Sequence, residues 1–377
     1  MTESFVRSDI SRMPHTVLFA GGGSGGHISP GLAIAEALRS IDARCTCHFA
    51  PSDREIDRAM LTRADESFTP MPARPPKRSP GGLSDFIRGW RRTFRVSCEL
   101  MRERKIDRVV ALGGFVSAPV VSAAKREGLP VLLLNLDRVP GLANRMVARK
   151  ADQVFSAVQT IRHGTHWPTI GLPIRSAAAS RGTAEAARSE LGLDPDRPTL
   201  LITGASQGAK TINELAPELC MANAFCRSHW QVLHLCGDDS LTDALQHRWQ
   251  QGGVRARVVP FLHEMGLAWT AASLCISRAG ANSVAEAWAA AVPTIFLPYP
   301  HHRDQHQRFN AEPMVDLGGA VLVEDAADAD RTRHALAPVF ADLVEDAGAR
   351  NAMREALVRE SPGNAAAQVA NAVIGLR

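Results

Sequence analysis

Two tandem α/β domains, each a parallel sheet covered on both faces by helices, are predicted by three observations. The chain has 377 residues, which corresponds to two domains at about 100–200 residues each. Short continuous apolar runs alternate with longer helical patterns along most of it, and unbroken apolar strands separated by helices point to a parallel sheet buried on both sides. The alternation stops once, in the Pro-, Gly- and Ser-rich stretch PTIGLPIRSAAASRG (168–182), and then restarts, as a linker between two such units requires.

In the first unit the strand-like runs are VLFA (17–20), followed by a helix over Pro30–Ser40; RVVAL (108–112), followed by Ser117–Arg126; VLLLN (131–135), followed by Gly141–Lys150; and QVFSA (153–157). The second unit has TLLITG (199–204) with a helix from about Ser206, WQVLHLCG (230–237), RARVVPF (255–261), SLCIS (273–277) with a helix from about Asn282, and VPTIFLPYP (292–300). After AVLVED (320–325) the chain is Ala-rich and helical, broken at Ser361-Pro362-Gly363. A last helix over about Asn364–Ile374 suits a position against either domain. The domains are expected over 1–174 and 175–377.

Apolar residues make up 45% and charged residues 22%, the balance of a soluble globular chain. No run approaches the roughly 20 apolar residues of a spanning helix, and the start, MTESFVRSDISRMPH, is polar and not signal-like, so a cytoplasmic protein is expected. The seven cysteines are odd in number, form no CxxC pair and sit mostly in apolar runs, the pattern of buried reduced thiols. Cys45, Cys47 and His48 have no second cluster to complete a metal tetrahedron and read as alternation along a strand. The net charge of +4 hides an asymmetry: residues 1–174 hold 25 Lys and Arg against 16 Asp and Glu, whereas the rest is net acidic. The first half is therefore suited to an anionic surface. Arg74 to Arg108, with eleven basic residues and four acidic ones, narrows that surface to one region.

Chemistry is expected at four glycine-containing turns that follow strands. The first is Gly21-Gly22-Gly23-Ser24-Gly25-Gly26-His27; glycines allow close approach by a ligand, and free amides at a helix start favour phosphate. GxGxxG can be read from Gly21, Gly23 and Gly26, but the acid expected after the second strand of a dinucleotide fold is not cleanly placed in Ala50-Pro51-Ser52-Asp53, and no Walker lysine is present. His27 reads as a base or anion-binding side chain, with a helix-capping histidine as the competing reading. The second turn is Gly113-Gly114-Phe115-Val116-Ser117, with Ser117 the expected N-cap. In the second unit, Gly204-Ala205-Ser206-Gln207-Gly208-Ala209 offers amides to a diphosphate. Ser277-Arg278-Ala279-Gly280-Ala281-Asn282-Ser283 leads into a helix that carries Glu286, which reads either as a ribose ligand or as the partner of Ser283 in a capping box.

These segments in this order, GGGSGGHISPGLAIAEAL, LGGFVSAP, GLPIR, GASQGAKTINE, SRAGANSVAEAWAAAVPTIFLPYP and DQHQRFNA, resemble the MurG family of bacterial N-acetylglucosaminyltransferases over about Val17 to Glu324. The resemblance implies a GT-B fold, two Rossmann-like domains facing across a cleft, and transfer of N-acetylglucosamine from UDP-N-acetylglucosamine to lipid I to give lipid II in peptidoglycan synthesis. It implies diphosphate contacts from Ser206, Gln207 and the turn after Gly280 (Ala281, Asn282, Ser283), and ribose contacts from Glu286. Phe261, Leu262 and Met265 match a uracil pocket, and His306, Gln307 and Asn310 match donor-sugar contacts. Arg175 matches an arginine near the cleft, and His27, with Ser24, Gly25 and Gly26, matches the glycine loop. On the acceptor side, where Gly113, Gly114 and Phe115 are expected, the chain departs from the family. Phe115 stands for a usual tyrosine, and Leu134-Asn135-Leu136-Asp137 stands where His-Glu-Gln-Asn is usual, which makes Asp137 a second candidate for the base.

The implied reaction is inverting, with an acceptor hydroxyl deprotonated by His27 or Asp137. Asp194-Pro195-Asp196 and Asp328-Ala329-Asp330 read as solvated turns and caps, so leaving-group stabilisation is expected from helix N-termini, with no cofactor or metal. The alternatives are an enzyme like the UDP-sugar 2-epimerases and a UDP-sugar-binding paralogue that has lost transfer or changed acceptor. Finally, Phe86, Ile87, Trp90 and Phe94 make one apolar stripe on a helix, flanked by Arg88, Arg91, Arg92 and Arg95. It reads as core or as an interfacial helix on anionic lipid, with Gly89 weakening the helix. The expected location is peripheral, on the cytoplasmic face of the inner membrane, without a nucleic-acid partner.

Overall fold

The computed structural model describes residues 15–22, 26–75, 79–161, 166–204, 209–300 and 305–376. The apolar runs become strands because each can bury both faces of its backbone ladder: all six residues of Arg108–Gly113 and all five of Thr199–Thr203 are buried. The chain forms two compact units, one of residues up to Asn135, Gly141–Phe155 and the chain from Ala367, the other of Leu136–Pro140 and Ser156–Ala366.

The first sheet is built from β1 (Thr16–Gly21), α1 (Ile28–Ile41), β2 (Thr46–Ala50), α2 (Glu55–Arg63), β3 (Ser67–Phe68), α3 (Pro80–Glu103), β4 (Arg108–Gly113), α4 (Ser117–Arg126), β5 (Val131–Asn135), α5 (Leu142–Ala148) and β6 (Gln153–Ser156). Its order is β3-β2-β1-β4-β5-β6, and parallel ladders join β1 to β2 and β4, β2 to β3, and β4 to β5. The second unit runs through α6 (Ala184–Glu190), β7 (Thr199–Thr203), α7 (Lys210–Ala222), α8 (Ala224–His229), β8 (Gln231–Leu235), α9 (Thr242–Gln251), β9 (Arg255–Val259), α10 (Met265–Ala271), β10 (Ala272–Ser277), α11 (Ala281–Ala289), β11 (Thr294–Phe296), α12 (His306–Asp316) and β12 (Ala320–Leu322). Its sheet, β12-β11-β10-β7-β8-β9, repeats the same winding. Helices α13 (Ala329–Glu345), α14 (Ala347–Arg359) and α15 (Ala365–Gly375) follow. The final turns of α15 belong to the first unit, where the Arg108 guanidinium donates to the carbonyls of Val373 and Ile374, satisfying acceptors that a helix end leaves open.

Strand periodicity sorts the second core: Leu200 and Ile202 join one apolar cluster with Trp230 and Trp249, whereas Leu201 joins the cluster of Trp269 and Phe296 on the other face. All seven cysteines are buried and unpaired. Burial pushes Cys47 up to about 12, so it is an inert packing residue at neutral pH.

Two local expectations are corrected. Gly89 lies inside one continuous helix, α3; its missing side chain admits the strap at 72–74, since a Cβ there would stand 3.0 Å from the Pro72 carbonyl and 3.1 Å from the Arg74 nitrogen. Ser117 is the first residue of α4 and not its cap, a place taken by Val116. The Ser117 hydroxyl instead turns back to the carbonyls of Ala20 (2.8 Å) and Gly113 (2.6 Å), tying β1 to β4.

Candidate nucleotide-sugar site

In an open α/β sheet, ligands bind beyond the carboxyl ends of the strands where the winding reverses. The reversal lies between β1 and β4 in the first sheet and between β7 and β10 in the second. The four sequence turns follow those four strands, so in each unit they start from neighbouring strand ends at the switch point, with residues 23–25 and 205–208 outside the described residues. In the first unit Gly113 and Gly114 have φ of +96° and +81°, and a Cβ on Gly114 would stand 2.6 Å from the Gly22 carbonyl. That approach is why the double glycine is needed. Under the same loop, the wholly buried Asp57 accepts from the Ser52 hydroxyl at 2.6 Å.

His27 is half-buried at the N-cap position of α1, and its side chain makes no capping hydrogen bond. The capping reading therefore fails for it. Gly26 is half-buried beside it; Ser24 and Gly25 lie outside the described residues, as do Ser206 and Gln207. Phe115 packs partly against the first core. Asn135 is buried and accepts from the Asn144 amide at 2.8 Å, while Oδ1 of Asn144 has no hydrogen-bond partner among the described residues. Asp137 is exposed, in the segment Leu136–Pro140.

The second unit carries the better-defined site. Gly280 caps α11, so Ser283 and Glu286 both lie inside the helix and the capping box does not form. Oε2 of Glu286 accepts from the indole N–H of Trp269 at 2.9 Å. Desolvation pushes this carboxyl up to about 7, opposed by the Trp269 hydrogen bond and the positive charge of Arg175. The residue as a whole is only partly buried, and its desolvated carboxyl stands on α11 just after the turn 278–283. Trp269 was not singled out by sequence reasoning, because a tryptophan in an apolar helix looks like any other core residue.

Around that turn, Nδ2 of Asn310 donates to the Ala279 carbonyl at 3.2 Å, and Oε1 of Gln307 accepts from the Tyr299 N–H at 2.9 Å. His306 is exposed at the first turn of α12. Phe261 is 49% exposed and meets His263 edge-on, whereas Leu262 and Met265 lean on the second core. Ala281, Asn282 and Ser283 are half-buried in the first turn of α11, a nine-residue helix whose amides suit an anion. The two aspartate pairs are structural: Asp194 pairs with Arg197 and Arg255, and Asp328 caps α13 by accepting from the Arg331 N–H.

On α3 the apolar stripe divides. Trp90 and Phe94 turn onto the first core, with Phe86 tilted against Trp90 and Arg126 over Phe94. Leu83 and Ile87 stay 56% and 44% exposed, and Arg91 and Arg92 are exposed beside them. Among the described residues no helix is long and apolar enough to cross a membrane.

Residues 17–156 match the glycosyltransferase family 28 N-terminal domain and residues 199–369 its C-terminal domain. A UDP-N-acetylglucosamine–N-acetylmuramyl-(pentapeptide) pyrophosphoryl-undecaprenol N-acetylglucosamine transferase of Nocardioides sp. is 38% identical, covering 96% of this chain and 98% of that protein. One of the same description from Clavibacter michiganensis subsp. michiganensis is 34% identical over 94% and 95%. The crystal structure of Acinetobacter baumannii MurG superposes with a TM-score of 0.74 at 24% identity, covering 96% of this chain and all of that one. A putative UDP-N-acetylglucosamine 2-epimerase from Listeria monocytogenes shares the fold at a TM-score of 0.61 and 14% identity, covering 95% of each chain. Likeness of fold thus reaches several activities, and the sequence relatives separate them. The chain is a glycosyltransferase and belongs to the MurG family of family 28 N-acetylglucosaminyltransferases.

Proposed function

We propose that this chain moves N-acetylglucosamine from UDP-N-acetylglucosamine to the N-acetylmuramyl-pentapeptide carried on undecaprenyl pyrophosphate. The observation that carries the reading is near full-length similarity, at 34–38% identity, to transferases named for that reaction. The donor half falls to residues 175–377. Glu286 takes the two ribose hydroxyls, and the amides at the start of α11, with Ser206 and Gln207, take the diphosphate. Phe261, Leu262 and Met265 border the base, and His306, Gln307 and Asn310 meet the sugar. Arg175 adds positive charge to the same region, as its action on Glu286 indicates.

The acceptor half falls to residues 1–174, around Gly113, Gly114 and Phe115. The acceptor hydroxyl oxygen attacks the anomeric carbon as the bond from that carbon to the diphosphate oxygen breaks. UDP leaves with the electron pair, and the hydroxyl proton passes to His27 or Asp137. Amides at helix N-termini stabilise the charge that develops on the leaving diphosphate.

The protein works against the cytoplasmic face of the inner membrane. Leu83 and Ile87 on α3 and Leu142 and Met146 on α5 are exposed apolar residues of one unit. They lie in the first turns of helices that follow β3 and β5, the ends of such helices that meet the carboxyl edge of a parallel sheet. With Arg88, Arg91, Arg92 and Arg95 alongside, that edge suits anionic lipid, at about 1 kcal/mol per basic residue near the surface.

The test is UDP release from UDP-N-acetylglucosamine with and without lipid I. Acceptor-dependent release together with a product heavier by one N-acetylglucosamine is expected; release without acceptor, or epimerised donor, overturns the reading.

A further inference from the structure

We propose that Trp269 is a positioning residue for donor recognition: its indole N–H holds one carboxylate oxygen of Glu286 so that the other is presented to the paired ribose hydroxyls. The inference rests on the ribose reading of Glu286 given above.

The geometry that carries it is local to the second unit. Trp269 is 1% exposed, so its N–H has little water to bond, and it lies 2.9 Å from Oε2 of Glu286. An indole donates and never accepts, which fixes Oε2 as the acceptor and directs the remaining lone pairs of the carboxylate elsewhere. Both helices that supply the pair are braced. On α10, Gly266 packs against the Ala179 carbonyl with no room for a Cβ, and the Thr270 hydroxyl accepts from the Arg181 N–H at 3.0 Å. On α11, Val284 and Ala287 are buried in the same apolar cluster as Trp269. The indole therefore cannot follow the carboxylate, and the carboxylate takes its orientation from the indole.

The hydrogen bond also favours the ionised form that paired hydroxyls require. Neither α10 nor α11 carries another ionisable side chain. The helices packed on α11 carry several, among them His306, Arg308 and Glu312 on α12 and Arg354 and Glu355 on α14. The charge that acts on Glu286 is Arg175. With burial holding this carboxyl near neutrality, loss of the N–H leaves more of it protonated at working pH. Donor affinity then falls without any change in the groups that perform transfer.

The experiment is steady-state kinetics of the full chain across neutral pH for the wild type, Trp269→Phe, Glu286→Gln and the double variant. For the wild type, donor KM is expected to fall as pH rises through about 7. Trp269→Phe is expected to move that midpoint upward and raise donor KM at neutral pH by about tenfold, with kcat nearly unchanged. Glu286→Gln should raise donor KM and remove the pH step, and the double variant should be no worse than Glu286→Gln alone. An unmoved midpoint in Trp269→Phe, with donor binding weakened by Glu286→Gln, overturns the proposal and leaves the ribose reading standing. Unchanged donor KM in Glu286→Gln removes the ribose reading itself. Should the phenylalanine variant not fold, Trp269→Met, which fills irregular core space, makes the same comparison.

Discussion

The guanidinium of Arg278 lies 2.6 Å from Oδ2 of Asp325, and both side chains are almost wholly withdrawn from solvent, at 6% and 0% exposure. Arg278 follows β10 and Asp325 follows β12, and the same guanidinium donates to the carbonyl of Leu297, just past β11, at 2.9 Å. One cation thus gathers three neighbouring strand ends under the turn that starts α11. Removing one partner of such a pair strands a buried charge, at a cost of about 3–5 kcal/mol. Arg278→Met or Asp325→Asn should each lower stability by that order in denaturant melts. Arg278→Met with Asp325→Leu should recover most of the stability but not donor affinity, because the strand ends lose their common anchor.

Gly114 and Gly128 separate conformation from contact. Both have positive φ, +81° and +74°, but a Cβ on Gly114 would meet the Gly22 carbonyl at 2.6 Å, whereas one on Gly128 meets nothing within 4 Å. Gly128→Ala should cost only the left-handed conformation, about 1–2 kcal/mol. Gly114→Ala should cost clearly more in thermal melts and should lower activity by pushing the two turns of the first unit apart.

His27→Ala is expected to lower turnover by about 10²–10⁴-fold while changing donor affinity little, since a general base acts in the transition state. The check is kcat measured beside calorimetric donor binding. If Asp137→Asn abolishes transfer and His27→Ala leaves it nearly intact, the base is Asp137.

Two buried histidines should lower stability in acid. His234 accepts from Trp249 at 3.2 Å and faces Asn213 at 3.0 Å, and His48 sits between the hydroxyls of Ser67 and Thr69, each at 2.8 Å. Burial lowers them to about 3 and about 4. In the unfolded chain they bind protons below about 6.5, so the unfolded state gains protons first as pH falls. Stability should therefore drop from pH 6.5 downward, each histidine contributing a slope of about 1.4 kcal/mol per pH unit until its folded value is reached. His48→Gln should flatten the pH dependence of melting of the first unit and leave that of the second unchanged.

The surface at Leu83 and Ile87 should bind vesicles containing anionic lipid at low salt. Leu83→Ser with Ile87→Ser, or Arg91→Glu with Arg92→Glu, should reduce co-sedimentation, whereas Trp90→Phe should not, because Trp90 leans on the core. Equal binding by all variants would assign this stretch to ordinary surface.

The sequence by itself determined the two-sheet architecture and the four turns. Parallel strands buried on both faces must be largely apolar without alternation, as RVVALG and TLLIT are, and a position where a Cβ would stand 2.6 Å from a carbonyl, as on Gly114 against Gly22, must be glycine. Both constraints are local and leave a mark at each position. Other features are set by residues far apart in the chain, and no local pattern records them. Ser117 looked like a helix cap until the sheet brought the Ala20 carbonyl to it, and Gly89 looked like a weak point of the helix until the strap at 72–74 crossed it. For Glu286 the sequence left a ribose ligand and half of a capping box both open, and the capping box was removed only when Gly280 proved to be the cap and the Trp269 indole its partner. Only tertiary packing decided these, because hydrogen-bond partners and desolvation depend on what the fold places within about 3 Å, and that neighbour is chosen by topology.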